Sequence, residues 1–490
     1  MEVRVIPLSI LLVYIILMLY AVWEGYKRTK SGRAEFFVAS GTLGVIASFF
    51  TYVATWISAY GFIGLSTVFY TYGIDWHLFE AMSYPFAIVP LTFVVATRIW
   101  RLAKKFNYIT PADLLVSRIG LDIPIRLLLA LMVTYPFIFY MGIQFIGMSA
   151  IASGVIGLPY HVGLIIFTIV AIMVIALGGI RGVAYSDILM GITFLALAII
   201  VFAVLPAKLG LGYIASAVEG PRSWIFKPSL PPQYVLSALI LMSVPWAGLV
   251  PHLMTKLYAA QSEKAIFASA LGIGISGFLV YSLLPIFVGS ALAYYWPEPP
   301  KVTVREEYVT MFFAELISPT LAMLLLLGLI AAALSTILGI AITLSSIVQV
   351  DLLERVLKLD RRFSERTLDL MARLSVILVM LIGVYSAISP GHPIVRIAIT
   401  IIWPGISIIA FPILIAIFWR RATKWGVFSG LILGFVSLIL FQYVIWPEWP
   451  NNPFYLWEGT LPTTIGIVTT ILVSILTPPE PEERLKQFYE

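Results

Sequence analysis

The chain has 490 residues, 60% hydrophobic and only 11% charged, with a formal net charge of +6 and no cysteine. A soluble domain is nearer half apolar and a quarter charged, so a soluble enzyme or binding module is excluded. The missing cysteines rule out disulfides, thiolate metal sites and thiol chemistry. Apolar runs of spanning length recur from end to end, which makes this an all-α, polytopic membrane protein. In chain order they predict about thirteen spans, near 5–24, 43–70, 78–97, 124–150, 160–178, 186–206, 233–255, 266–294, 320–349, 368–388, 395–418, 425–446 and 461–477. No small-residue cleavage site follows the first run, so it is expected to be a retained span.

The connections differ in charge. One alternate set (25–37, 98–126, 179–185, 256–265, 350–373 and 419–424) carries 22 Lys/Arg, with two more in the tail, and the opposite set with the N-terminus carries 7. The positive-inside rule then places the N-terminus outside and the C-terminus in the cytoplasm of a plasma-membrane protein. Positive charge here sets topology and does not mark a nucleic-acid surface. No hydrophilic domain interrupts the spans. "EEYVTMFFAELI" in segment 295–319 has helical apolar spacing and is expected to lie on the membrane surface. "PEWPNNP" (447–453) is a Pro/Asn turn.

Two spans look broken. "ASFFTYVATWISAYGFIGLSTVF" (47–69) carries Gly, Ser and Thr at its centre, and "LMSVPWAGLVPHLM" (241–254) carries Pro245, Gly248 and Pro251. Interrupted helices at matching positions of two halves point to a transporter's central site. They are the second and seventh spans, so two five-helix repeats (about 43–206 and 233–418) are expected. Peripheral spans at about 5–24, 425–446 and 461–477 would complete one transporter domain over 1–490. Proline kinks are common in membrane helices, and a purely structural reading stays open.

The ninth span carries "AALST" (332–336). At about 100° per residue, Ser335, Ser346, Gly339, Ala332, Thr343 and Thr336 share one arc about 100° wide. Such a stripe faces protein, not lipid. It suits close helix packing first, and also a hard cation that takes neutral oxygens.

Four further motifs lie in order along the chain: "ITPADLLVSR" (109–118), "GGIRGVAYSD" (178–187), "VPHLMTKLYAA" (250–260) and "FWRRATKWGVFSG" (418–430). Together they resemble the sodium:solute symporter family, nearest to its pantothenate, monocarboxylate and proline carriers. The resemblance implies a LeuT-type inverted repeat of five plus five helices and Na⁺-driven, alternating-access uptake of a small organic solute. It implies that Na⁺ is held by the carbonyls of Ala54, Ile57 and Ala332 and by the hydroxyls of Ser335 and Thr336. Some members hold a second sodium with hydroxyls three and four residues beyond the first serine and an acid at the start of the sixth span. Here those positions are Leu338 and Gly339, so one sodium is expected. Asp187 is then an ion-path residue, or a helix N-terminal acid favoured by the dipole.

The solute is expected at the broken helices, against Trp56, Ser58, Tyr60, Gln144 and Trp246. Gln144, in "FYMGIQFIG", either orients a polar group of the solute or bonds between helices. His252 and Lys256 are placed at the cytoplasmic end of the seventh span, without chemistry. His77, His161 and His392 are scattered at external ends. Paired acids or histidine clusters at membrane depth, which an intramembrane enzyme needs, are absent. Proton coupling and a transporter-like sensor remain the alternatives.

Overall fold

The computed structural model describes residues 2–301, 307–389, 394–445 and 456–490. The turn at 447–453 and His392 lie outside the described residues. Within them the chain is helical, and the one β-pairing is an isolated bridge between Leu43 and Ala260. Among the described residues nine helices are long and apolar enough to cross a bilayer, or ten with the pair Val45–Trp56 and Tyr60–Tyr72, which is bent by 44°.

Three more span-like segments follow from the geometry. Tyr160–Leu209 has 50 residues and would be about 75 Å long if straight, more than twice a bilayer core. Gly179 breaks it with φ 53 and ψ −155. A Cβ there would also meet the Phe36 ring at 2.9 Å, so only glycine fits this corner. The successive helices Asp75–Ser83, Tyr84–Ile88 and Val89–Phe106 supply the third span, and Thr460–Leu476 the last. Thirteen segments result, where the apolar runs place them. The sixth starts at Gly179 rather than near 186, because the polar stretch around Arg181 is wound into its first turns.

The ninth span, Pro319–Val356, is the axis of the bundle. Its apolar window is 83% buried, against 28% for the first span, Val5–Tyr26. A helix apolar all round belongs inside, which is why its few hydroxyls must find protein partners. The seventh span, Pro232–Ala259, also breaks. Its helix stops at Trp246, Gly248 takes φ +108, and the chain turns helical again at Pro251.

The helix Glu307–Leu316, expected on the membrane surface, turns its apolar face to protein. Val309, Phe312 and Phe313 are buried, and Thr310 donates to the Ala150 carbonyl at 3.4 Å. Its apolar face is satisfied by protein at the ends of the fourth and ninth spans, not by lipid.

At the opposite end of the bundle, two of the signature segments meet. Thr110 and Asp113 form a capping box. Arg118, fully buried, donates to the carbonyls of Ala416 and Ala422 (both 2.9 Å), and its guanidinium lies over Tyr489 of the terminal helix Glu482–Tyr489. Arg126 pairs with Asp113, Asp122 and Asp351.

Candidate ion and solute sites

The second span ends its first half at Trp56. Ile57 is extended (φ −79, ψ 133), and the helix resumes at Tyr60. A helix that stops inside protein leaves its last carbonyls without amide partners. The ninth span brings hydroxyls to them. Ser335 Oγ donates to Ala54 O at 2.6 Å and lies 3.0 Å from Ala332 O. Thr336 Oγ1 lies 2.9 Å from Ile57 O, 3.2 Å from Thr55 O and 3.0 Å from Ala332 O. The five groups singled out in the sequence thus converge on one buried point. Gly339 makes the approach possible, since a Cβ there would sit 2.4 Å from Thr55 Cγ2. The donors are neutral oxygens, and no cluster of three His, Asp or Glu side chains suited to a metal occurs among the described residues. Such a set fits a hard monovalent cation better than a transition metal.

The rest of the stripe packs. Thr343 meets Thr255 at 3.0 Å, and Ser346 donates to Thr343 O at 2.7 Å. Ser345, off the stripe, has a buried hydroxyl with no partner.

One turn before the break lies a charged pair that the sequence reading separated. Asp187 accepts from Thr51 Oγ1 at 2.5 Å and lies 3.5 Å from Lys256 Nζ, which donates to Thr51 at 2.9 Å. All three side chains are buried. Lys256, in the last turn of the seventh span, and His252, one turn earlier, are therefore both part of the buried core. Asp187 sits about two turns into the helix that starts after Gly179, beyond reach of the helix dipole. Its charge is balanced by Lys256. Charge counting along the loops assigned this lysine to a connection, because only the folded chain shows that Pro251–Ala259 turns back into the bundle.

Between the two broken spans is a closed aromatic cavity. Trp56, Tyr60 and Trp246 line it, joined by Tyr281, Trp403 and Ser243. Its room for water centres is about 20 Å³, enough for one water. Ser58 and Gln144 face the break instead. Gln144 Oε1 accepts the Ala59 amide at 2.8 Å, and Nε2 bonds Tyr140 O at 3.3 Å. The Tyr281 hydroxyl accepts the Ser58 amide at 3.0 Å and donates to Trp56 O at 2.9 Å. Gln144 and Tyr281 thereby satisfy backbone groups that unwinding would orphan. A Cβ on Gly61 would meet Tyr281 at 1.8 Å, so glycine is required beneath that ring.

A wider cavity of about 460 Å³ opens at the end of the bundle away from Arg118, among Asp75, Trp76, Tyr234, Arg396 and Glu458. Trp76 lines it and donates to Tyr60, which lines the inner cavity, at 2.5 Å. This pair separates the two spaces.

Comparison with known proteins matches residues 36–434 to the Sodium:solute symporter family. The sodium/pantothenate symporter of Escherichia coli (strain K12) is 25% identical over 413 residues, covering 82% of each chain. The high-affinity proline transporter PutP of Bacillus subtilis (strain 168) is 26% identical, over 76% of this chain and 78% of that one. The solved structure of a Na⁺-coupled sialic acid symporter, in a substrate-bound outward-open state, superposes with a TM-score of 0.78 at 18% identity, over 97% of this chain and 98% of that chain. Mhp1, a nucleobase-cation-symport-1 family transporter, superposes at 0.52 and 15% identity, over 94% and 96%. Those two likenesses fix the fold as that of LeuT-type transporters, and with the family match over most of its length the chain belongs to the sodium:solute symporter family, whose members are membrane transporters and not enzymes.

Proposed function

We propose that the protein imports a small organic solute together with one Na⁺, with the ion held by the carbonyls of Ala54, Ile57 and Ala332 and the hydroxyls of Ser335 and Thr336. The observation that carries this reading is the convergence of those five oxygens, at 2.6–3.0 Å, on the break of the second span. When Na⁺ enters, each hydroxyl turns a lone pair to the ion, and the carbonyl it had bonded becomes a ligand too. The ion then ties the unwound chain to the ninth span. Because the same break carries Trp56 and Tyr60 into the inner cavity, ion binding sets the solute site.

The repeats 43–206 and 233–418 are the moving halves, with 5–24, 425–446 and 461–477 at the periphery. The N-terminus faces outward and the C-terminus the cytoplasm of the plasma membrane. The 460 Å³ space is then the outer vestibule, and the Trp76–Tyr60 bond closes the inner cavity beneath it. Asp187, one turn to the inner side of the ion, lies on the ion's route to the cytoplasm.

The energetics follow from one ion. A potential of 100 mV contributes ~2.3 kcal/mol per charge and a tenfold Na⁺ gradient ~1.4 kcal/mol, so a neutral or zwitterionic solute can be concentrated roughly 500-fold. A monoanion carried one-to-one loses the voltage contribution and reaches about tenfold. The test is uptake of a panel of amino acids, monocarboxylates, pantothenate and sugars into proteoliposomes. Uptake should require an inward Na⁺ gradient and carry current. Uptake driven by a proton gradient without Na⁺ would assign the coupling to H⁺.

A further inference from the structure

The inner cavity is walled by a closed circuit of five aromatic rings. Trp56 meets Trp246 at 5.4 Å, Trp246 meets Trp403 at 5.0 Å, Trp403 meets Tyr60 at 5.4 Å, Tyr60 meets Tyr281 at 5.7 Å, and Tyr281 returns to Trp56 at 5.0 Å. Four of these five contacts are near-perpendicular, with interplanar angles of 75° to 87°. A flat circuit with that spacing has its centre ~4.5 Å from every ring centroid, inside the ~6 Å range over which a cation is held by ring quadrupoles. Three of the five rings are indoles, the strongest partners for a cation.

The unpartnered polar groups around the circuit are two indole N–H donors and two hydroxyls. Trp56 Nε1, Trp403 Nε1 and Ser243 Oγ are buried without hydrogen-bond partners, and so is the hydroxyl of Tyr140, which packs edge-on to Trp403 at 5.3 Å. An indole N–H can only donate. Three nearby acceptors are already used: Gln144 Oε1 by the Ala59 amide, the Tyr281 hydroxyl by Ser58, and the Tyr60 hydroxyl by Trp76. Among the described residues no charged side chain lines the cavity.

We infer that the solute is a zwitterion whose cationic end is a fully methylated ammonium, as in a betaine, and whose other end is a carboxylate. This rests on the reading of this cavity as the solute site. A methylated ammonium presents no N–H groups, so it needs no acceptor, and aromatic faces are its natural partners. A primary ammonium would bury three N–H groups against a wall whose unpartnered acceptors are the Ser243 and Tyr140 hydroxyls, with no carboxylate or free amide oxygen to match its charge. A sugar would do the same with its hydroxyl hydrogens, at the full desolvation cost of each. The carboxylate takes the orphaned donors. The circuit now has room for one water, so it opens as the broken helices move to admit the solute.

The test uses the full-length protein in proteoliposomes under an inward Na⁺ gradient, offered glycine, N-methylglycine, N,N-dimethylglycine, glycine betaine, choline, proline and pantothenate in turn. Half-saturation should fall along the N-methyl series, by roughly tenfold or more from glycine to betaine. Choline, lacking the carboxylate, should bind more weakly than betaine. Trp246→Leu should lose betaine while Na⁺ still protects it from thermal unfolding, which shows that it is folded, and Trp246→Phe should keep part of the affinity. A flat or reversed methyl series overturns the inference. Betaine left behind while proline or pantothenate is driven by Na⁺ also overturns it, and leaves sodium symport standing. Betaine carried equally well without Na⁺ would uphold the cage and remove the sodium coupling instead.

Discussion

Ser335→Ala removes one oxygen from the proposed ion site and adds no bulk. In the structure this hydroxyl spans two carbonyls, Ala54 O at 2.6 Å and Ala332 O at 3.0 Å. If it only packs, the loss is that of an ordinary hydrogen bond, about 1 kcal/mol, partly offset by alanine's preference for helix. If it binds Na⁺, a hydrogen-bonding oxygen is withdrawn from a buried charge, worth about 1.5–3 kcal/mol. The Na⁺ concentration for half-maximal uptake then rises roughly ten- to a hundredfold, and saturating Na⁺ restores part of the rate. Thr336→Ala should behave alike, since its hydroxyl reaches Ile57 O, Thr55 O and Ala332 O. Ser345→Ala is the control, because its hydroxyl is buried with no partner and off the stripe. Initial uptake rates are measured across a Na⁺ series in proteoliposomes holding equal amounts of folded protein. Unchanged Na⁺ dependence in both variants would refute the assignment and leave the stripe as helix packing.

Trp56→Ala should weaken solute affinity in uptake competition while Na⁺ binding without solute persists. Gln144→Leu removes the acceptor of the Ala59 amide, so it should reduce both Na⁺ and solute affinity, in contrast to a residue that touches only solute. Lys256→Met leaves Asp187 buried without its cation, a loss of roughly 3–5 kcal/mol, and the melting temperature of the purified protein should fall by several degrees. Outside the spans, burial raises the Glu35 carboxyl, but its bond to Arg181, the Arg181 charge and hydrogen bonds from Ser40 and the Lys30 backbone together outweigh this and hold it below the usual carboxylate range. Its contribution to stability is therefore full above the ordinary carboxylate pKa and is lost as pH falls through the lowered one. Glu35→Gln should flatten the acid limb of a melting-temperature profile.

Spans, breaks and the hydroxyls that meet the second-span break were legible because each rests on local sequence. Spanning length shows as apolar runs, Pro245, Gly248 and Pro251 announce the seventh-span break, and Ser335 and Thr336 stand out against Leu and Ile. What the sequence hid depends on contacts between distant segments. Lys256 and Asp187 lie far apart in the chain and each has an ordinary surface explanation until the fold joins them. Tyr281 and Trp403 complete the aromatic wall from the eighth and eleventh spans, where an aromatic residue in an apolar run carries no signal. Gly61 is the one local hint, a glycine placed where Tyr281 must enter. Ser58 and Gln144 were expected against the solute, with an interhelical bond as the alternative for Gln144; their direction, toward backbone rather than cavity, is set by which carbonyls and amides the unwinding exposes.

Equilibrium binding of ²²Na⁺ to the purified protein, without solute or gradient, bears most directly on the central claim. The oxygens around Ser335 and Thr336 predict saturable binding of one ion per chain, unaffected by Ser345→Ala and strongly weakened in Ser335→Ala and Thr336→Ala. No saturable ²²Na⁺ binding to the folded parent protein, or binding that survives both substitutions unchanged, would contradict it.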